Sequence, residues 1–171
     1  MLAEKTMGDP AAPIVMIEYS SLNCSYCAGF HVDTLPVIKT EYIDTGKVRF
    51  VYRDFPLDYS AGLTASMVGR CAGDRYFAVI DLIYRQQAAW VGSANGTAAL
   101  KAIVAPAGLT AAEVDACLAS TELRNGVLAM RAAGQSQYGV RATPTFIING
   151  LVVEGALPYG SFAVIFNSLL Q

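Results

Sequence analysis

The chain has 171 residues, 54% of them hydrophobic and 15% charged, against a usual charged share of about 25%. That supports a sizeable core in one domain, or one domain with an insertion, and excludes a disordered tail protein. Lys and Arg number 12 and Asp and Glu 14, a net charge of -2 with no basic run, which excludes nucleic acid as a partner.

Met1 to Gly8 contains Glu4 and Lys5 and lacks an apolar stretch, so no signal peptide is expected. The chain reads as a protein that stays where it is made, or as a mature exported form. Ile14-Val15-Met16-Ile17 follows Pro13 and predicts a strand buried on both faces, with Glu18 as the odd residue in it. Ser20 to Asn23 break that pattern, and a helix is expected from about Cys24 to Asp44, kinked at Pro36 and ended by Gly46. A second strand is expected over Lys47 to Phe55. Ser60 to Tyr138 then reads as helical. Leu63, Met67 and Cys71 share one face, Phe77, Ile80 and Tyr84 another, and Thr110 with Glu113 has the spacing of a capping box. Val114, Cys117 and Leu118 follow that box, and Leu123, Val127 and Met130 mark the last helix of the block. Thr145 to Ile148 and Leu151 to Glu154, joined by Asn149-Gly150, predict a hairpin. A final helix opens at Pro158. The uncharged stretch from Gly155 carries Pro158, Gly160, Ser161 and Asn167, and so fails as a membrane span. The strands at the two ends most simply share one sheet, which makes residues 60–138 a helical insertion between 1–59 and 139–171.

Four cysteines are too few for a disulfide scaffold, and their even number permits three full pairings among which sequence does not choose. Cys24 and Cys27 stand apart because a strand delivers this C-x-x-C to the start of a helix. Unpaired backbone N–H groups and the positive end of the helix dipole stabilise a thiolate at Cys24, expected to be the exposed cysteine. Cys27, one turn inward, is placed to attack a mixed disulfide formed there, which is the geometry of thiol–disulfide exchange. A zinc site with His31 as third ligand competes, but no second C-x-x-C or H-x-x-x-H exists to complete four ligands. His31, the only histidine, is expected on the helix surface. Cys71 and Cys117 fall on apolar helix faces, where two unrelated core thiols are a fair reading.

Ile17-Glu18-Tyr19-Ser20 leading to Cys24-Ser25-Tyr26-Cys27, with Phe30 beyond, resembles the DsbA-like branch of the thioredoxin superfamily. Arg53-Asp54-Phe55-Pro56-Leu57, Thr143-Pro144-Thr145-Phe146 and Gly155 before a terminal helix are similar to later segments of the same family. The resemblance covers essentially the whole chain and implies a thioredoxin fold with an inserted all-helical domain. It makes Cys24 the nucleophile, Cys27 the resolving cysteine, and Pro144 a cis-proline facing them. Thr143 would offer its backbone to an extended substrate. Glu18 would be a buried carboxylate that accepts or shuttles the Cys27 proton. Many oxidants of the family carry Pro-His where this chain has Ser25-Tyr26; Ser25 would donate a hydrogen bond to Cys24, and Tyr26 would present an apolar face to substrate. A second, non-catalytic bridge between Cys71 and Cys117 is favoured if the surroundings are oxidising.

The activity implied is a protein-disulfide oxidase acting on unfolded or reduced exported proteins in the periplasm or an equivalent compartment. It needs no metal or organic cofactor, and a membrane quinone-linked partner would reoxidise it. With about thirteen residues before the first expected strand, a monomer is expected rather than a dimeric isomerase. The alternatives are an isomerase or reductase using the same site, and a copper or zinc carrier using Cys24, Cys27 and His31.

Overall fold

The computed structural model describes residues 1–171. Five strands, β1 (Lys5–Met7), β2 (Ile14–Ser20), β3 (Val48–Asp54), β4 (Thr145–Ile148) and β5 (Leu151–Glu154), form one sheet in the order β1-β3-β2-β4-β5. The central strand β2 runs parallel to β3 and antiparallel to β4, while β1 and β5 close the two edges antiparallel to their neighbours. This is the thioredoxin-type sheet with a helical insertion expected from the sequence. The edge strand β1 was not anticipated: the first strand begins at Lys5, ahead of Ile14.

Between β2 and β3 lies a helical run over residues 25–43. It comprises α1 (Ser25–Gly29) and α2 (Leu35–Ile38), each followed by a five-residue π-helical stretch, Phe30–Thr34 and Lys39–Ile43. Pro36 cannot supply an N–H to the helix ladder. The turn before it widens, and the Leu35 N–H reaches back five residues to the Phe30 carbonyl. The expected kink is thus a π-turn. The insertion between β3 and β4 contains α3 (Ala61–Cys71), α4 (Tyr76–Arg85), α5 (Gln87–Trp90), α6 (Gly96–Val104), α7 (Ala111–Leu118) and α8 (Thr121–Tyr138); α9 (Tyr159–Leu169) ends the chain. A disulfide joins Cys71 at the end of α3 to Cys117 in α7.

Alternation along β2 divides the interior. Ile14 and Met16, with Phe50, Tyr52 and Phe146 of the neighbouring strands, pack under the 25–43 run, α4 and α9 in the larger core. Tyr19 and Ile147 point to the other face, with Phe55 and Val140. There α8 approaches so closely that a Cβ at Gly134 would lie 2.6 Å from the Tyr19 ring, so glycine is required. The β4–β5 turn places Asn149 at φ 46 and Gly150 at φ 88, the pair of positive values a two-residue hairpin asks for. The core face of β2 therefore carries Glu18 and Ser20 inward, directly beneath the start of α1.

Candidate active site

Cys24 is the N-cap of α1, with extended backbone (φ -89, ψ 122), so its side chain turns back over the first turn of the helix. The Cys27 N–H donates to Cys24 Sγ at 3.3 Å, and Cys24 Sγ donates to the Thr143 carbonyl at 3.4 Å. Both cysteines are free thiols. Cys24 keeps 6% of its surface and Cys27 none, so Cys24 is far less open than expected, with the Thr143 backbone lying against its sulfur. The Ser25 hydroxyl is exposed and makes no bond to Cys24; the Cys27 backbone takes that place.

The two thiols are driven apart in acidity. The Cys24 thiol is lowered to about 6, chiefly by the hydrogen bond from the Cys27 thiol, with further help from the Thr143 side chain and from the backbone N–H groups of Cys27 and Tyr26. Burial opposes this and is outweighed. The Cys27 thiol is pushed far up, first by burial, then by giving its hydrogen bond to Cys24, then by the negative charge of Glu18. These shifts favour, near neutrality, a Cys24 thiolate that accepts from a neutral Cys27 thiol; the bond to the Thr143 carbonyl belongs to the protonated Cys24.

The Thr143–Pro144 peptide is cis and immediately precedes β4, so the strand ladder that pairs β4 with β2 holds this loop against Cys24. The Thr143 hydroxyl is buried and, apart from its influence on the Cys24 thiol, unpartnered. Tyr26, 73% exposed, stands at the mouth of the site beside Cys24.

Below the cysteines, Glu18 is fully buried on the central strand. Its Oε2 lies 2.8 Å from His31 Nε2. This corrects the expectation for His31. The imidazole is 5% exposed and stacks on the Tyr84 ring, 4.3 Å between centroids. The reason is helical phase: Cys27, His31 and Leu35 recur every four residues on the core-facing stripe, a signal present in the sequence. Ser20 Oγ and Tyr84 Oη lie 2.8 Å apart, and Tyr84 Oη and Tyr52 Oη 2.9 Å, extending a polar layer under Cys27.

One contact had no sequence signal. The Gln87 side-chain amide, from α5 of the insertion, donates to the carbonyls of Leu22 at 2.7 Å and Cys24 at 3.0 Å. Sixty-three positions separate it from Cys24. It ties the helical block to the backbone of the Cys24 segment. No three His, Cys, Asp or Glu side chains converge as metal ligands, and His31, turned to Glu18, is not offered as a ligand beside the thiols. No helix is long and apolar enough to cross a membrane.

A family model described as thioredoxin matches residues 2–167. A putative protein-disulfide oxidoreductase of Rickettsia bellii is 31% identical over 153 residues, spanning 88% of this chain and 59% of its own length. The crystal structure of alpha-DsbA1 of Wolbachia pipientis superposes with a TM-score of 0.89 at 30% identity, covering 99% of this chain and 92% of that one. BdbD of Bacillus subtilis, at 17% identity and a TM-score of 0.82, shares the fold over 98% of this chain and 92% of its own.

Proposed function

The chain belongs to the thioredoxin family, and from that premise we propose that it is a DsbA-like protein thiol–disulfide oxidoreductase that donates its Cys24–Cys27 disulfide to reduced, exported proteins. The observation that carries this reading is Cys24 at the N-cap of α1, over the buried Cys27 and against the cis-Pro144 loop, an arrangement that lowers the Cys24 thiol and raises that of Cys27. A substrate thiolate attacks Cys24 Sγ; the substrate–Cys24 bond forms as the Cys24–Cys27 bond breaks, and the electron pair leaves on Cys27, which is protonated. A second substrate thiolate attacks the substrate sulfur of the mixed disulfide, and Cys24 departs as a thiolate. A leaving group with a low pKa leaves fast, and a stabilised thiolate favours the dithiol form, so disulfide flows outward.

Glu18 serves as the group that takes up or returns the Cys27 proton. Thr143 and Pro144 line the position of the extended substrate, and Tyr26 offers it an aromatic face. A second disulfide at Cys71–Cys117 suits an oxidising compartment such as the periplasm. Reoxidation falls to a membrane quinone-linked partner, and the working form is a monomer.

The test is to mix the oxidised protein with a reduced two-cysteine peptide and, separately, with a scrambled multi-disulfide protein. One peptide disulfide formed per protein, abolished by Cys24→Ser, is the expected result. Failure to oxidise the peptide while restoring the scrambled protein would assign an isomerase. Tight, stoichiometric zinc or copper binding by the reduced protein, without exchange, would assign a metal carrier.

A further inference from the structure

Cys27 has to lose and regain a proton in every cycle, yet it has no exposed surface. Two observations on the core side of the site bear on where that proton goes. Glu18 Oε1 is buried without a hydrogen-bond partner, while Oε2 of the same carboxyl is held by His31 Nε2 at 2.8 Å. His31 also lines a cavity of ≈ 300 Å³ whose wall includes Lys39, Asp81, Leu35, Phe77 and Ile80. The imidazole therefore touches both the buried carboxyl and a space large enough for solvent.

Taking Glu18 as the group that exchanges the Cys27 proton, we infer that His31, acting through Glu18, relays that proton between the buried carboxyl and the solvent of this cavity. The inference rests on the oxidoreductase reading above. When Cys27 resolves a mixed disulfide between Cys24 and a small thiol, its S–H proton passes to Glu18 Oε1. The sulfur attacks Cys24 Sγ, forming the intramolecular disulfide as the bond to the small thiol breaks. The electron pair leaves on that thiol, which is reduced and takes a proton from bulk water. Glu18 shares the new proton with His31 Nε2, and the imidazole releases one from its other nitrogen to the cavity. The reverse sequence protonates Cys27 when substrate attacks Cys24.

An imidazole suits this task because its two nitrogens accept on one side and release on the other at neutral pH. Its titratable and charged neighbours are Cys27 and Lys39 on its own helical run, Glu18 on β2, Tyr52 on β3, and Tyr84 and Asp81 on α4. The tyrosine hydroxyls are held neutral by burial. Asp54, further along β3, is committed to Arg70. The hydroxyl chain Ser20–Tyr84–Tyr52 does not replace the relay: its links are hydroxyls of high pKa, which cannot store a proton near neutrality.

The experiment follows reduced protein mixed with oxidised glutathione by stopped flow. Mixed-disulfide formation at Cys24 depends on glutathione concentration, and resolution by Cys27 does not. In His31→Gln, formation and the alkylation rate of Cys24 should stay within about twofold of wild type, and resolution should slow by about tenfold or more, with its pH dependence between 6 and 8 flattened. In His31→Ala, added imidazole should restore resolution with saturation, since the enlarged cavity admits it. On the unaltered protein, resolution should slow by about twofold or more in D₂O while formation does not. Resolution in His31→Gln at the wild-type rate and pH profile would overturn the relay, as would an equal slowing of both phases that imidazole leaves unchanged. If wild-type protein shows neither phase, it is the oxidoreductase reading that fails.

Discussion

At the scale of single residues, the decisive asymmetry is between two sulfurs three positions apart. Cys24 has a folded-state pKa near 6 against an ordinary thiol value of 9.0. A depressed acid contributes stability that is fully present above its unfolded pKa and is lost as pH falls through its folded one. The reduced protein should therefore gain about 2 kcal/mol of unfolding free energy between pH 6 and pH 8. Cys27, raised instead, adds nothing in that window because its thiol stays neutral in both states there. Urea titrations of reduced wild type and of Cys24→Ser should show the gain in the first and its loss in the second; equal pH dependence in both would locate the charge elsewhere. The C-x-x-C was legible because strand, motif and helix start are all local. His31 was misplaced although its spacing from Cys27 and Leu35 was visible, because an imidazole on an apolar stripe looks like a misfit until its carboxylate partner on β2 is known. Gln87 was not legible at all, since nothing in a helix of the insertion marks a glutamine that reaches two carbonyls of the Cys24 segment.

At the scale of elements, the β4–β5 hairpin and the start of α7 were readable because each is decided by a few adjacent side chains. Thr110 and Glu113 make both reciprocal bonds of the capping box, 3.2 Å and 2.7 Å. Strand β1 was missed for the opposite reason: three residues, Lys5-Thr6-Met7, carry no periodicity, and their strand character comes from pairing with Phe50, Val51 and Tyr52 of β3. What anchors this edge is an ion pair. Arg70 on α3 bonds Asp54 at the end of β3 at 2.6 Å, both side chains fully buried, and also donates to the carbonyls of Met1 and Ala3. Removing one partner leaves the other charge buried and uncompensated, so Asp54→Ala should cost about 3–5 kcal/mol. Arg70→Met combined with Asp54→Leu should recover most of that loss, because the desolvation cost of both charges vanishes with them. Chemical denaturation of the two variants checks this, and a double variant as unstable as the single one would show that the bonds to the leading segment, rather than the charge pair, hold the edge.

At the scale of the whole molecule, the Cys71–Cys117 disulfide and the Cys24–Cys27 pair act on different parts of the fold, and reducing them has opposing effects on stability. Cys71–Cys117 spans a sequence separation of 46 between α3 and α7 inside the helical block, a loop for which chain entropy gives roughly 4 kcal/mol of stabilisation. Any reductant that opens it hides what happens at the active site, so the comparison belongs in a Cys71→Ala, Cys117→Ala protein. There the Cys24–Cys27 disulfide closes only a very short loop, for which the same entropy argument gives about 2 kcal/mol in favour of the oxidised form. Against it stands the Cys24 thiolate, present only in the reduced form and held by the Cys27 thiol and by backbone N–H groups. That contribution is below about 1 kcal/mol at pH 6, where the thiolate is half formed, and rises to roughly 2–3 kcal/mol at pH 8. The two curves cross. Calorimetry on this variant should find the oxidised form melting higher at pH 6 and the reduced form melting as high or higher at pH 8. An oxidised form that stays clearly more stable at both pH values would mean that the thiolate is too weakly held to push its disulfide onto substrates. The site would then work in the reducing direction, and the disulfide-donor reading would give way to a reductase.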